Sequence, residues 1–287
     1  MTNLGGLGGA VVLWLVAGCV GGGRVPPAKE PPRPPADSAF APLEPEATVQ
    51  LGTPATAMCR DGDSLLVLES SGTRVVRLAV GDWRLATVRQ ETLPLIERIT
   101  APAGVAADRF YIYIYDSHTL YRMSKDKLDL QPWFDSVRVT GLAGFEPGIM
   151  LVSDADRGAI WYKGLFGDSR QFISAAEVAR PGAMVALEDG SFAVLSPAAR
   201  RIHFFNRSGV VTHSVSLPAA CDLLAYDGHG TFCVGQRGKP QVWLLRGKRW
   251  TGCALPGAVS PLSLAIVNTR LVVLDAGTGL DVFRIGD

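Results

Sequence analysis

The sequence predicts an all-β chain that closes as a six-bladed β-propeller, and three observations predict it. Residues 181–217 read as four short strands joined by tight turns. Variants of that unit recur along the chain at intervals near 40 residues, as propeller blades do. The last unit is one strand short, and an orphan strand precedes the first. In the reference unit AMVAL is turned by Glu188, Asp189 and Gly190, and SFAVLS is followed by Pro197. RRIHFFN is turned by Arg207, Ser208 and Gly209, and VVTHSVSL completes the four. A four-stranded blade cannot bury both faces alone, so the repeat implies a ring of neighbours.

From the N-terminus, residues 4–20 carry no charge, and their dense apolar part is of signal-peptide length, short for a membrane span. That part ends in Val16-Ala17-Gly18-Cys19, which resembles the lipobox of bacterial lipoproteins. The resemblance implies a signal over residues 1–18 and lipid on Cys19, with Val20 favouring the outer membrane where the host is Gram-negative. Met1–Leu4 lacks Lys and Arg, a departure from lipoprotein signals, which carry one or two there. Residues 19–45 are proline-rich, with pairs at 26–27, 31–32 and 34–35. They read as an extended polyproline tether between lipid and domain.

The propeller is expected over residues 46–287. Glu46–Leu51 alternates polar and apolar as an edge strand does. Six units follow, beginning near Pro54, Pro102, Thr140, Arg180, Pro218 and Ser260. Blade 1 has LLVLE and RVVRLAV, blade 2 FYIYIYD and TLYRMS, blade 3 IMLVSD and AIWYKG. The LDLQPWF run of blade 2 carries Pro132, which suits an outermost strand. Blade 5 has TFCVG, QVWLLR and RWTGCAL; blade 6 has LSLAIV, RLVVLD and LDVFRI, and lacks a fourth strand. Pairing of Glu46–Leu51 with that last strand would close the ring and leave no raw edge. YIYDSHTLYRM, LVSDADRGAIWYK and VLDAGTGLDVFRI together resemble NHL-type and TolB-like repeats of six-bladed propellers.

The near balance of 28 Lys and Arg against 27 Asp and Glu gives no electrostatic reason for a nucleic-acid partner. The turns after the second strands and the loops leading into the first strands share one face, where propellers commonly bind ligands. Glu69, Asp116, His118, Asp154, Arg157 and Asp275 are the candidate ligand-binding residues there, with Asp156, Arg200 and Arg201 beside them. Their other reading is local: each acid caps its own turn through backbone N–H groups.

No catalytic residue, metal site or cofactor is indicated. GxSxG, HExxH and P-loop patterns are absent from the sequence. His203 and His213 are expected to face each other across the Ser208 hairpin as a surface pair, two ligands short of a zinc site. Asp154-Ala155-Asp156-Arg157-Gly158 opens like a calcium loop but is not followed by the required Glu. Cys59, Cys221, Cys233 and Cys253 are read either as two disulfides of an exported domain or as small buried thiols.

The expectation is a monomeric, lipid-anchored propeller of a bacterial cell envelope. Its role is that of a non-catalytic binding or scaffold module for a protein or envelope-glycan partner. One alternative rests on resemblance to calcium-dependent lactonases and esterases of six-bladed fold, to whose metal Glu69 and Asp154 would contribute. A second is a sensory or carbohydrate-binding lipoprotein, in which Trp161, Tyr162, Tyr121 and Trp243 stack on sugars.

Overall fold

A computed structural model of the chain describes residues 40–286 apart from 80–89, 96–98, 175, 258 and 277–278. The signal, Cys19 and the tether up to residue 39 lie outside the described residues. What is described is a six-bladed β-propeller without helices. Blades 1 to 4 each take their four strands in sequence order, innermost first. Their innermost strands are Ala55–Asp61, Gly104–Ala107, Val139–Glu146 and Met184–Ala186. Those of blades 5 and 6 are Leu223–Tyr226 and Pro261–Val267.

The second strands are buried on both sides, between one neighbouring blade and the other. Phe192–Ser196 is buried at every position, and Ser64–Glu69 and Ile149–Asp154 at all but the first. Both faces being packed, these strands carry apolar runs, LLVL, IMLV and FAVL, with polar residues only toward their ends. The third strands recover partial alternation, as in Arg201–Phe205. The outermost strands are the most exposed, as in Val211–Ser216. Pro132 sits on the outermost strand of blade 2, Leu130–Asp135, with a bulge beside it. That is where a missing N–H does least harm.

Buried apolar side chains gather into six clusters, each formed between adjacent blades. One of them joins blade 6 to blade 1 through Leu280, Val282, Leu65 and Val67. The join is made by Glu44–Gln50, which pairs antiparallel with Gly279–Arg284 as the fourth strand of blade 6. Ala47, Val49 and Leu51 pack on the blade 6–blade 1 cluster. On the other side of the strand, Glu46 is held by Arg270 and Arg284 and Thr48 Oγ1 donates to Asp281 (2.8 Å).

The propeller begins earlier than residue 46. Ala41–Pro42, expected in the tether, pairs parallel with Cys253 and Ala254 as a fifth strand on blade 5. Phe40 lies over Gly252, edge-on to Trp243 at 5.6 Å between centroids, and Leu43 joins the blade 5–blade 6 core. A two-residue parallel strand carries no periodicity, so proline content dominated the sequence reading of this stretch.

Candidate functional site

The six expected site residues lie on four blades, and the face they share does not bring them together. Glu69 ends the second strand of blade 1 and is 4% exposed. Its carboxylate accepts from Thr53 of the lead-in loop and from Arg74 and Ser71 of the following turn. Asp116 Oδ1 accepts from the N–H groups of His118 and Thr119 (both 2.8 Å), and Oδ2 from the Tyr121 hydroxyl (3.3 Å). Asp154, 1% exposed, accepts from Asp156 and Arg157 N–H (3.1 and 3.3 Å) and pairs with the Arg157 guanidinium (2.9 Å). Asp275 accepts from the N–H of Ser260. Asp116 and Asp154 cap the turns they precede, Asp275 staples its lead-in loop, and Glu69 does both.

The same position in blade 4 is Ser196, which donates to Ala179 O and accepts from Ala199 N–H (3.3 Å). In blade 5, where the repeat has no acid, Asp222 reaches from the first strand's lead-in to accept from Arg237 N–H (2.8 Å). Turn geometry accounts for the recurrence of a polar residue at this position. His118 stays exposed, and Arg138 pairs with Asp156 at the surface.

His203 and His213 do not form a pair. A bulge beside Phe205 sets His203 opposite Ser214, at 2.9 Å from Nδ1 to Oγ, and His213 opposite Phe204, on whose ring it stacks at 4.2 Å. Adjacent strand positions point to opposite faces, so the two imidazoles lie on either side of the blade. Among the described residues no group of three His, Cys, Asp or Glu is placed to hold a metal. Cys59, Cys221, Cys233 and Cys253 are free thiols, the last three buried. Of the aromatic side chains considered for sugars none is exposed. Trp161 meets Phe134, Tyr162 meets Phe145, and Trp243 meets Phe40.

The open space is axial. A cavity of about 230 Å³ is lined by the first strands of all six blades, including Met58, Val105, Leu142, Met184, Leu224 and Leu264. Adjacent blades are tied to each other around it. Ser263 Oγ donates to Met58 O (3.2 Å), Thr140 Oγ1 to Pro181 O (2.7 Å) and Ser153 Oγ to Gly182 O (2.9 Å). At the end nearer the second-to-third-strand turns stand Tyr115, Asp222 and Arg237. The Tyr115 ring folds over Gly104, its cross-strand partner, where an added Cβ would fall 2.1 Å from Cζ. Burial pushes the Tyr115 hydroxyl up to about 12, against the opposing pull of Arg237.

At the other end the channel widens into a mouth of about 640 Å³, bounded by the turns between first and second strands of blades 1 to 5. Arg60, Arg109, Phe145, Glu146, Glu188 and Tyr226 line it. Arg60 is steadied by Gly62 O (2.9 Å) and Asp227 O (3.0 Å), and Arg109 lies over the Phe110 ring at 5.4 Å. Asp108 is occupied by Phe110 N–H, Tyr111 N–H, the Tyr113 hydroxyl and Gly148 N–H, all at 2.7–2.8 Å. Glu146 pairs with Arg207, while Glu188 lies 3.9 Å from His229, both exposed. Phe110, 49% exposed, and Phe166, 95% exposed, sit in turns on this same face.

Arg60, Arg109, Glu188 and Tyr226 were not among the residues expected from sequence. The available signal was the series of first-to-second-strand turns at 61–64, 108–110, 146–148, 187–191 and 227–230. These turns share no motif, which is why they drew no attention.

Fold and channel together define the class: a six-bladed β-propeller with an axial cavity open toward one face. No protein-family model matches the chain, and no curated protein matches it in sequence. Among solved structures it is similar to a virginiamycin B lyase of Staphylococcus aureus, at 8% identity and TM-score 0.61, over 83% of this chain and 98% of that one. It is also similar to regucalcin, a calcium-binding protein of Agrobacterium tumefaciens, at 13% identity and TM-score 0.60, over 86% of this chain and 96% of that one. The WD40 propeller domain of Doa1 aligns at 12% identity and TM-score 0.63, over 86% and 98%. At such identities the likeness is one of fold.

Proposed function

We propose that this protein is a lipid-anchored, non-catalytic binding module of a bacterial cell envelope, and that its partner enters the wide mouth of the central channel. The observation that carries the reading is the contrast between the two faces. On the second-to-third-strand turn face the candidate acids Glu69, Asp116, Asp154 and Asp275 are engaged by their own turns and lead-in loops. On the opposite face a 640 Å³ mouth mixes Arg60, Arg109 and Glu188 with Phe145 and Tyr226, and the turns of that face expose Phe110 and Phe166. Mixed polar and aromatic surface of that kind suits a protein segment. The anchor rests on Val16-Ala17-Gly18-Cys19 and the proline-rich stretch after it.

The test is capture of partners from envelope extracts by the full chain, in parallel with Phe110→Ser and Arg109→Glu. Loss of a captured protein in both variants, with melting unchanged, is the expected result. Calcium titration followed calorimetrically covers the hydrolase alternative. Tight calcium binding with turnover of lactones or aryl esters would overturn the non-catalytic reading. Incorporation of an alkyne fatty acid that is lost in Cys19→Ala tests the anchor separately.

A further inference from the structure

Among the described residues, the large apolar side chains left exposed all lie on one face of the ring. They are Phe110 (49% exposed), Phe166 (95%), Val210 (58%) and Val211 (38%). Phe110 is in the turn between the first and second strands of blade 2. Phe166 is in the turn between Ala159–Lys163 and Ser169–Ile173 of blade 3. Val210 and Val211 end the turn that follows Arg201–Phe205 in blade 4. In an antiparallel blade these turns share the face of the wide mouth, and none of Phe110, Phe166 and Val210 lines the mouth itself.

The backbone beneath these tips is closed on itself. Phe110 N–H donates to Asp108 Oδ1 (2.7 Å), and Phe110 O accepts from Lys125 N–H (3.0 Å). Val210 N–H donates to Asn206 Oδ1 (3.0 Å), and Val210 O accepts from Asn206 N–H (2.9 Å). In the Phe166 turn, Gly167 N–H donates to Gly164 O (3.2 Å) and Gly164 N–H to Asp168 O (2.9 Å). The carbonyls on either side of Phe166 are taken from behind by cations. Arg122 Nη1 donates to Leu165 O (3.0 Å) and Lys163 Nζ to Gly167 O (2.6 Å). Lys163 is 5% exposed, its ammonium 5.1 Å from the Phe134 ring centroid. Water alone satisfies the carbonyls of a solvated turn. Protein donors on them become necessary where the tip leaves water.

We propose that this face seats on a lipid bilayer, with Phe110, Phe166 and Val210 inserted among the acyl chains. The inference rests on the lipid-anchored reading for the bilayer being within reach, and it turns the wide mouth toward the membrane surface. The 20 residues between Cys19 and Phe40 span at most roughly 70 Å, more than three times the length of a six-residue strand, so the anchor does not dictate which side meets the bilayer. Dispersal of the apolar groups selects the occupant. Each stands at the tip of its own turn, on three consecutive blades, rather than in one groove. A fluid acyl layer takes separated tips without a complementary pocket, whereas a folded partner would need one for each. Arg109, over the Phe110 ring at 5.4 Å, is placed to keep its guanidinium among the phosphates while Phe110 enters below.

The test uses the full chain carrying Cys19→Ala, so that no lipid on that residue contributes. A bimane fluorophore is attached at Phe166→Cys or, on an exposed turn of the opposite face, at His118→Cys; the same chain without either cysteine corrects for native thiols. The vesicles are phosphatidylcholine, brominated along its acyl chains, with one quarter phosphatidylglycerol, at millimolar lipid. The label at 166 is expected to shift to the blue and be quenched by the bromines, and the label at 118 to do neither. Phe166→Ser is expected to weaken vesicle binding about tenfold or more. Melting stays unchanged in that variant, because the side chain it removes is 95% exposed. No vesicle binding, or equal quenching at 166 and 118, overturns the proposal and leaves the tips to a protein partner. Quenching as expected in a chain whose wild type takes no fatty acid at Cys19 overturns the anchor and leaves the bilayer-facing side standing.

Discussion

Gly104→Ala probes the architecture of the channel at one carbon atom. Gly104 pairs with Tyr115 across the first two strands of blade 2, and the tyrosine ring covers the space a side chain would take. An ideal Cβ there lies 2.1 Å from Tyr115 Cζ and from its hydroxyl oxygen. Carbon atoms settle at about 3.5–4.0 Å, so the ring must retreat by roughly 1.5 Å or leave the channel wall. Overpacking of this kind costs about 1–3 kcal/mol. At about 2–4 °C per kcal/mol for a domain of this size, melting is expected to fall by about 2–12 °C. The decisive assay is a double-mutant cycle by denaturant unfolding with Tyr115→Ala. Once the ring is gone, the three atoms nearest the added Cβ are gone with it, and alanine is favoured over glycine in a strand by about 0.5–1 kcal/mol. The two changes are therefore expected to couple by about 2 kcal/mol or more. Additivity within about 0.5 kcal/mol would refute the reasoning, since uncoupled sites behave that way.

Asp116→Ala removes the cap of an exposed turn and is expected to destabilise by about 1–2 kcal/mol, whereas His118→Ala next to it stays within about 0.5 kcal/mol, both read by urea unfolding. Arg270, with Arg284, holds the Glu46 carboxyl below the usual carboxylate range. Its contribution to ring closure is present above the pKa of a free glutamate and is lost as pH falls through the lowered one. Glu46→Gln should therefore flatten the acid limb of a melting-versus-pH profile, and an unchanged limb would count against the clasp. Burial raises the thiol pKa of Cys221, Cys233 and Cys253, pushing Cys221 up to about 12. A thiol reagent is expected to leave these three untouched until the protein is unfolded; reagent-resistant sulfur after unfolding would point to disulfides instead.

Much of the fold was legible because strand burial leaves its mark on the local sequence. Phe192–Leu195 is apolar throughout because both its faces are packed, and the turns on either side interrupt it with Asp, Gly and Pro. The closing strand was readable from alternation at Ala47, Val49 and Leu51, the side chains that meet the blade 6–blade 1 core. The site was less legible. Asp116 and Asp154 were visible as a repeated feature, but a repeat position serving its own turn looks the same in sequence as one serving a ligand. Arg109 and Glu188 sit in turns of different length and composition, so nothing in the chain marks them as neighbours around one mouth.

The amino-acid sequence by itself determined the number of blades, the position of each lead-in turn and the strand that closes the ring. Those features depend on residues close in sequence, or on a period that repeats. The tertiary structure alone decided which end of the channel is wide, that Asp222 replaces the missing acid of blade 5, and that His203 and His213 lie on opposite faces. The physical reason is distance along the chain. Channel and edges are assembled from segments tens to hundreds of residues apart, and their geometry follows from blade twist and register rather than from any local pattern.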